Sequence, residues 1–172
     1  MPFDMGGHMK RFVTAILCIT LIVIGFGGDV ESDNVTHKGE LMIIEETIKN
    51  SIGWALDKDL DLLYSCLAHD DSFFIFNPDP SSIIGFKEFS EMAETVFMNE
   101  AFKATGYEVK DLRINLSRSG EVAWYSCFLD DYGEWNGEST SWINCRWTGV
   151  LEKRDGNWVI TQMHFSFPRE RG

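Results

Sequence analysis

Cationic residues are scarce in this chain: 15 Lys and Arg stand against 27 Asp and Glu, a formal net charge of −12. Nucleic-acid binders need a basic footprint, so that class is excluded. Cysteine is almost as sparse. Cys18 lies in an apolar stretch near the N-terminus, and only Cys66, Cys127 and Cys145 follow. Three cysteines cannot make a complete disulfide framework. If Asn136-Gly137 joins two strands, Cys127 and Cys145 come nearly opposite each other. That leaves open a cross-strand disulfide in an oxidising compartment, beside the reading of three small buried apolar residues. There is no Cys-x-x-Cys pair, no glycine-rich phosphate loop and no nucleophile elbow. His69-Asp70-Asp71 does not make a metal site: adjacent residues at a helix exit point apart, and no second His or Cys cluster supplies further ligands. Neither a metal nor a cofactor is expected.

Long hydrophobic runs are missing except for one. Met9-Lys10-Arg11 precedes an uncharged apolar run from Phe12 to Phe26, followed by Gly27-Gly28 and then polar residues. A basic start, a short apolar segment and small residues at its exit describe a secretory signal in residues 1–28. The run is short for a transmembrane helix. Export to a periplasmic or extracellular space is the expectation, with an uncleaved N-terminal anchor as the alternative. Residues 29–38 are polar and read as a linker, and 39–168 as one domain.

Within that domain Leu41, Ile44, Ile48, Ile52 and Ala55 recur at helical spacing. A second short helix runs through Leu60, Leu63, Tyr64 and Leu67. Phe73 to Phe76 is a short strand, stopped by Pro78 and Pro80, which cannot continue a ladder. Gly85 precedes a third helix carrying Phe89, Met92, Ala93, Val96 and Phe97. Four longer strands follow, over 107–117, 122–129, 142–153 and 158–167. Helices first and antiparallel strands afterward predict an α+β fold, with helices packed on one face of a curved sheet.

The last two strands flank Arg154-Asp155-Gly156, a hairpin signal. A three-residue loop, the favoured reading, pairs Glu152 with Trp158, Val150 with Ile160, Thr148 with Gln162 and Arg146 with His164. A two-residue Asp155-Gly156 turn instead puts Trp147 beside His164, because a slip of one residue exchanges the faces. In the first register Arg146, Gln162 and His164 line a pocket wall. A buried guanidinium needs an anionic partner, whether Glu152, Asp57, Asp130 or a ligand carboxylate; Arg146 facing outward is the competing arrangement. Trp54 and Trp124 are candidates for the apolar walls, Trp158 for the core beneath the first helix, and Trp135 and Trp142 for a partner surface or lid.

These pieces together resemble the nuclear transport factor 2-like superfamily, especially its SnoaL-like branch, and are similar to the association domain of calmodulin-dependent kinase. The matching segments are Trp54-x4-Asp59-Leu60-Asp61, Leu67-Ala68-His69-Asp70-Asp71 and Ile84-Gly85-Phe86-x2-Phe89. They continue with Val122-Ala123-Trp124, Arg146-x-Thr148-x-Val150 and Asp155-Gly156-x-Trp158-x5-His164-x-Ser166. The resemblance spans about Lys38 to Phe167. It implies a cone-shaped fold, commonly a homodimer through the outer sheet face, and no single activity. The base of steroid-isomerase-like relatives would fall at Asn77, which cannot take a proton near neutral pH. Their oxyanion groups would fall near Ser51 and near Thr148 to Val150, where neither a Tyr nor an Asp stands. The expectation is a domain that binds a small apolar or carboxylate-bearing molecule through Trp54, Trp124, Arg146, Gln162 and His164. The alternatives are a cofactor-free lyase, cyclase or hydrolase with His164 as acid/base, or a structural dimerisation module.

Overall fold

A computed structural model describes residues 29–168, with side chains from residue 37 onward. The leader expected over 1–28 lies outside the described residues. Helix α1 runs Asp29–Gly53, so the stretch expected as a linker forms the start of the first helix. Among the described residues no helix is long and apolar enough to cross a membrane.

The apolar spacing of α1 turns Ile44 and Ile48 onto the sheet, where both are fully buried; each such side chain contributes about 1.5–3 kcal/mol by leaving water. A 3-10 turn, Trp54–Leu56, ends the helix. Asp59 then caps α2 (Leu60–Ser65) by accepting a 2.9 Å bond from the Leu62 amide. Strand β1 (Phe74–Phe76) and β2 (Ser82–Ile84) form a small hairpin around Pro78 and Pro80. Gly85, at φ 83°, turns the chain into α3 (Phe86–Met92), whose last part widens into a π-turn over Ala93–Phe97.

The remaining strands are β3 (Phe102–Leu116), β4 (Val122–Trp135), β5 (Glu138–Ser139), β6 (Trp142–Arg154) and β7 (Asn157–Ser166). The sheet order is β2-β1-β7-β6-β4-β3, with β5 paired to β4. Among the described strands only β1 and β7 pair in parallel; a single parallel bridge also joins Leu67 to Ile160. The helices cover one face of this sheet, which gives the α+β cone expected from the order of elements. Glu40 ties α1 to the β6–β7 hairpin by accepting from Lys153 Nζ at 2.7 Å and Trp158 Nε1 at 2.5 Å. Trp158 is buried beneath α1, as its sequence position suggested.

The β6–β7 hairpin takes neither expected register along its whole length. Asp155 and Gly156 have φ of 50° and 84°, a two-residue turn that pairs Arg154 with Asn157 and Lys153 with Trp158. The ladder holds to Leu151–Ile160 and then shifts, so that Thr161 is an extra residue and Val150 faces Gln162. Thr148 then meets His164, and Arg146 meets Ser166. Below this bulge, Cys145, Trp147, Gly149 and Leu151 on β6 are buried, as are Met163 and Phe165 on β7. The alternation sends Arg146, Thr148, Gln162 and His164 to the outer face.

Cys127 pairs with Trp147, and Leu129 with Cys145. The two cysteines are therefore diagonal rather than opposite. Cys66, Cys127 and Cys145 are all free and buried.

Candidate functional site

Between the helices and the inner sheet face lies a cavity of about 350 Å³. Its walls are built from elements that each present an apolar side chain for a local reason. The 3-10 turn at the end of α1 swings Trp54 inward, where it meets Phe97 edge-on at 5.9 Å. Phe97, on the π-turn, meets Phe102 at the start of β3, with centroids 5.1 Å apart. Across the cavity Trp142 packs on Phe165 at 5.4 Å. Trp135, 37% exposed, stands at the other end of the same hairpin as Trp142 and joins the lining. Trp135 and Trp142, expected at a partner surface or lid, thus belong to the cavity wall.

The polar side chains of the lining are Ser51, Asn77, Asp131 and Thr140. The Ser51 hydroxyl donates to the Ile48 carbonyl of its own helix. Asn77 donates from Nδ2 to Ser81 Oγ at 2.9 Å, and it occupies the position after the first short strand where a base was sought and not found. Asp131 differs from the rest. Burial pushes its carboxyl up to about 6, and no hydrogen-bond donor among the described residues counteracts the shift. Among the described residues no Lys, Arg or His lines the cavity.

Asp131 reaches the cavity through a second bulge. Leu129 pairs with Cys145, but Asp131 pairs with Trp142, so Ile143 and Asn144 share the place opposite Asp130. Asn144 has a φ of 53°. Its amide donates to Asp130 Oδ1 at 2.7 Å, and Lys110 Nζ donates to the same oxygen at 2.7 Å. The Tyr132 hydroxyl donates to Asp130 Oδ2. These bonds hold the Asp130 carboxyl below the usual carboxylate range, the Lys110 bond foremost. Two adjacent carboxyls are thereby driven in opposite directions: Asp130 is ionised and fixes the bulge, while Asp131 faces the apolar cavity.

Of the five residues expected to bind a ligand, Trp54 alone lines the cavity. Trp124 is 47% exposed on the outer face of β4. Arg146 is exposed there too and donates to the Phe167 carbonyl rather than to Glu152, Asp57 or Asp130. Gln162 and His164 are half-buried on the outer face of β7, where His164 meets Phe76 edge-on at 5.9 Å. With Arg146 outside, the cation that motivated a carboxylate-bearing ligand is absent from the cavity. Sequence reasoning missed Asp131 by ending strand β4 at Leu129. Its signal was present, because Ala123, Tyr125, Cys127 and Leu129 all point inward and Asp131 is next in that alternation. Among the described residues no group of His, Cys, Asp and Glu is placed to hold a metal ion.

The fold recurs in solved structures. A nuclear transport factor 2-like superfamily protein from Salmonella enterica serovar Typhimurium superposes with a TM-score of 0.66 at 19% identity, covering 80% of this chain and 96% of its own. A nuclear transport factor 2-like protein from Cytophaga hutchinsonii gives 0.58 at 15% identity, covering 73% and 96%. No curated protein matches the chain. The model of the SnoaL-like domain matches residues 44–170, which contain the whole sheet and the cavity. The chain belongs to the SnoaL-like domain family, within the nuclear transport factor 2-like superfamily.

Proposed function

We propose that the protein binds a small, largely apolar molecule in the cone, with Asp131 as its one charged anchor. The observation that carries this reading is the Asp131 carboxyl, raised to about 6 inside an aromatic-walled cavity of about 350 Å³. Cavities of this size with few polar groups suit small organic ligands. The test uses the neutral dye N-phenyl-1-naphthylamine, whose emission rises in apolar surroundings. Ala55 lines the cavity, so Ala55→Phe should abolish the emission while circular dichroism is unchanged. Undiminished emission in the variant would refute this site.

A second reading, acid/base catalysis without a cofactor, is favoured by the same carboxyl. A group titrating near 6 is available in both protonation states close to neutral pH. Asp131 would take a proton from carbon next to a carbonyl, with Asn77 and Thr140 as neutral polar neighbours. Deuterium incorporation into 2-tetralone, followed by NMR and lost in Asp131→Asn, is the result expected; equal rates in the two proteins exclude the role. His164, on the outer face, is not part of this proposal.

The chain is further proposed to be an exported homodimer. Export rests on the leader-like residues 1–28, and N-terminal sequencing of secreted material tests it. Dimerisation rests on exposed Trp124, Phe128 and Phe76 on one outer sheet face. Trp124→Glu should lower the mass in sedimentation from that of two chains to one.

A further inference from the structure

Resting on the ligand-binding reading above, we propose that the cone selects an organic cation: a small molecule whose alkylated ammonium sits among the aromatic rings beside the Asp131 carboxylate. Two observations converge on this class. Among the described residues Asp131 is the only charged one in the lining, and no basic side chain accompanies it. An anionic ligand would therefore meet a like charge with nothing to offset it. The rings of Trp54, Phe97 and Phe102 follow one another edge-on along one wall, and Trp142 packs at a tilt against Phe165 on the other. Faces of such rings attract an alkylammonium, and Trp does so most strongly. A small hydrated metal ion is a poor fit, because one carboxylate cannot replace its water shell.

Burial makes the charge of the ligand matter. Asp131 is half-buried, has lost much of its solvent and has gained no hydrogen-bond donor among the described residues, so an ionised carboxylate there lacks a counter-charge. A neutral guest removes still more water from it. An ammonium supplies the missing partner and keeps its own apolar shell in contact with the rings. The overall charge of −12 adds a weak long-range attraction for a cation.

The experiment compares phenyltrimethylammonium with tert-butylbenzene, its uncharged isostere, and with 4-tert-butylbenzoate. Binding to the full chain is read at pH 7.5 by titration of tryptophan fluorescence. The ammonium should bind on the order of tenfold tighter than the isostere, and the benzoate should show no saturable change. In Asp131→Asn the preference for the ammonium should vanish while tert-butylbenzene still binds. If tert-butylbenzene binds as tightly as the ammonium in the natural protein, the cation proposal falls and the ligand-binding reading stands. A preference that survives in Asp131→Asn has the same consequence. If none of the three compounds binds, both readings fall. The natural-protein comparison decides the matter even where the variant does not fold.

Discussion

Replacing Asp131 by Asn should stabilise the protein near neutral pH and lose that advantage in acid. Burial raises the folded-state carboxyl from its ordinary 3.8 to about 6. That displacement corresponds to about 3 kcal/mol of penalty on the ionised form. The sign follows from proton counting. Between pH 4 and 6 the folded chain holds a proton on Asp131 that the unfolded chain has released, so folding stability falls as pH rises through this window. Below pH 4 both states are protonated and the penalty is absent. An Asn never ionises, but its amide is also desolvated, which costs about 1 kcal/mol of the gain. A net stabilisation of about 2 kcal/mol at pH 7.5 is therefore expected, shrinking to nothing or slightly reversing at pH 4. Urea unfolding of both proteins at a series of pH values isolates the contribution, since every other carboxylate cancels in the difference. A difference that stays constant from pH 4 to 7.5 would show that Asp131 is not buried in its charged form.

Three other outcomes follow from the packing. An added Cβ at Gly149 would lie 2.5 Å from the Tyr125 ring and 2.6 Å from the Gln162 carbonyl; the backbone atom cannot move aside, so Gly149→Ala should cost about 2–3 kcal/mol or more in urea unfolding. Glu40→Ala removes the acceptor of both Lys153 and Trp158 and should cost about 1–3 kcal/mol, with amide exchange accelerating first in α1. Burial pushes the Cys66 thiol up to about 11 and Cys127 up to about 12, so Ellman's reagent should label them in the folded protein only as fast as it unfolds. Prompt labelling of either thiol at neutral pH would contradict their burial.

Much of the fold was legible because its signals are local. Ile44 and Ile48 recur at helical spacing and are fully buried. Pro78 and Pro80 stop β1 where two missing donors require it, and a hairpin forms across Arg154-Asp155-Gly156, though by the two-residue turn and not the favoured three-residue loop. Less was legible where tertiary pairing decides. Strand β2 (Ser82–Ile84) has three residues and exists because β1 offers it a partner. Strand β4 continues to Trp135, past its expected end at Leu129, because β3 pairs with it on one side and β6 and then β5 on the other. Residues Asp29 to Lys38 have polar composition and yet extend α1.

The site was harder to read for a related reason: face assignment along a strand is only as good as the count of residues. Period-two alternation carried the inference from the turn to Arg146 and His164; a two-residue turn in place of three put Arg146 outside, and the extra residue at Thr161 put His164 outside. The same device acts in the opposite sense on β6. The extra residue at Asn144 brings Trp142 into line with Asp131, so both face the cavity. Without it, Ile143 would stand in the cavity wall and Trp142 outside. What stabilises that bulge is visible in the sequence only as the unremarked pair Asp130 and Lys110, twenty residues apart. Asp130 supplies the acceptor for the otherwise unpaired Asn144 amide, and Lys110 neutralises it. The group that defines the pocket's chemistry and the group that aims it are thus consecutive carboxylates, Asp131 and Asp130. Their environments, not their residue type, separate the two roles.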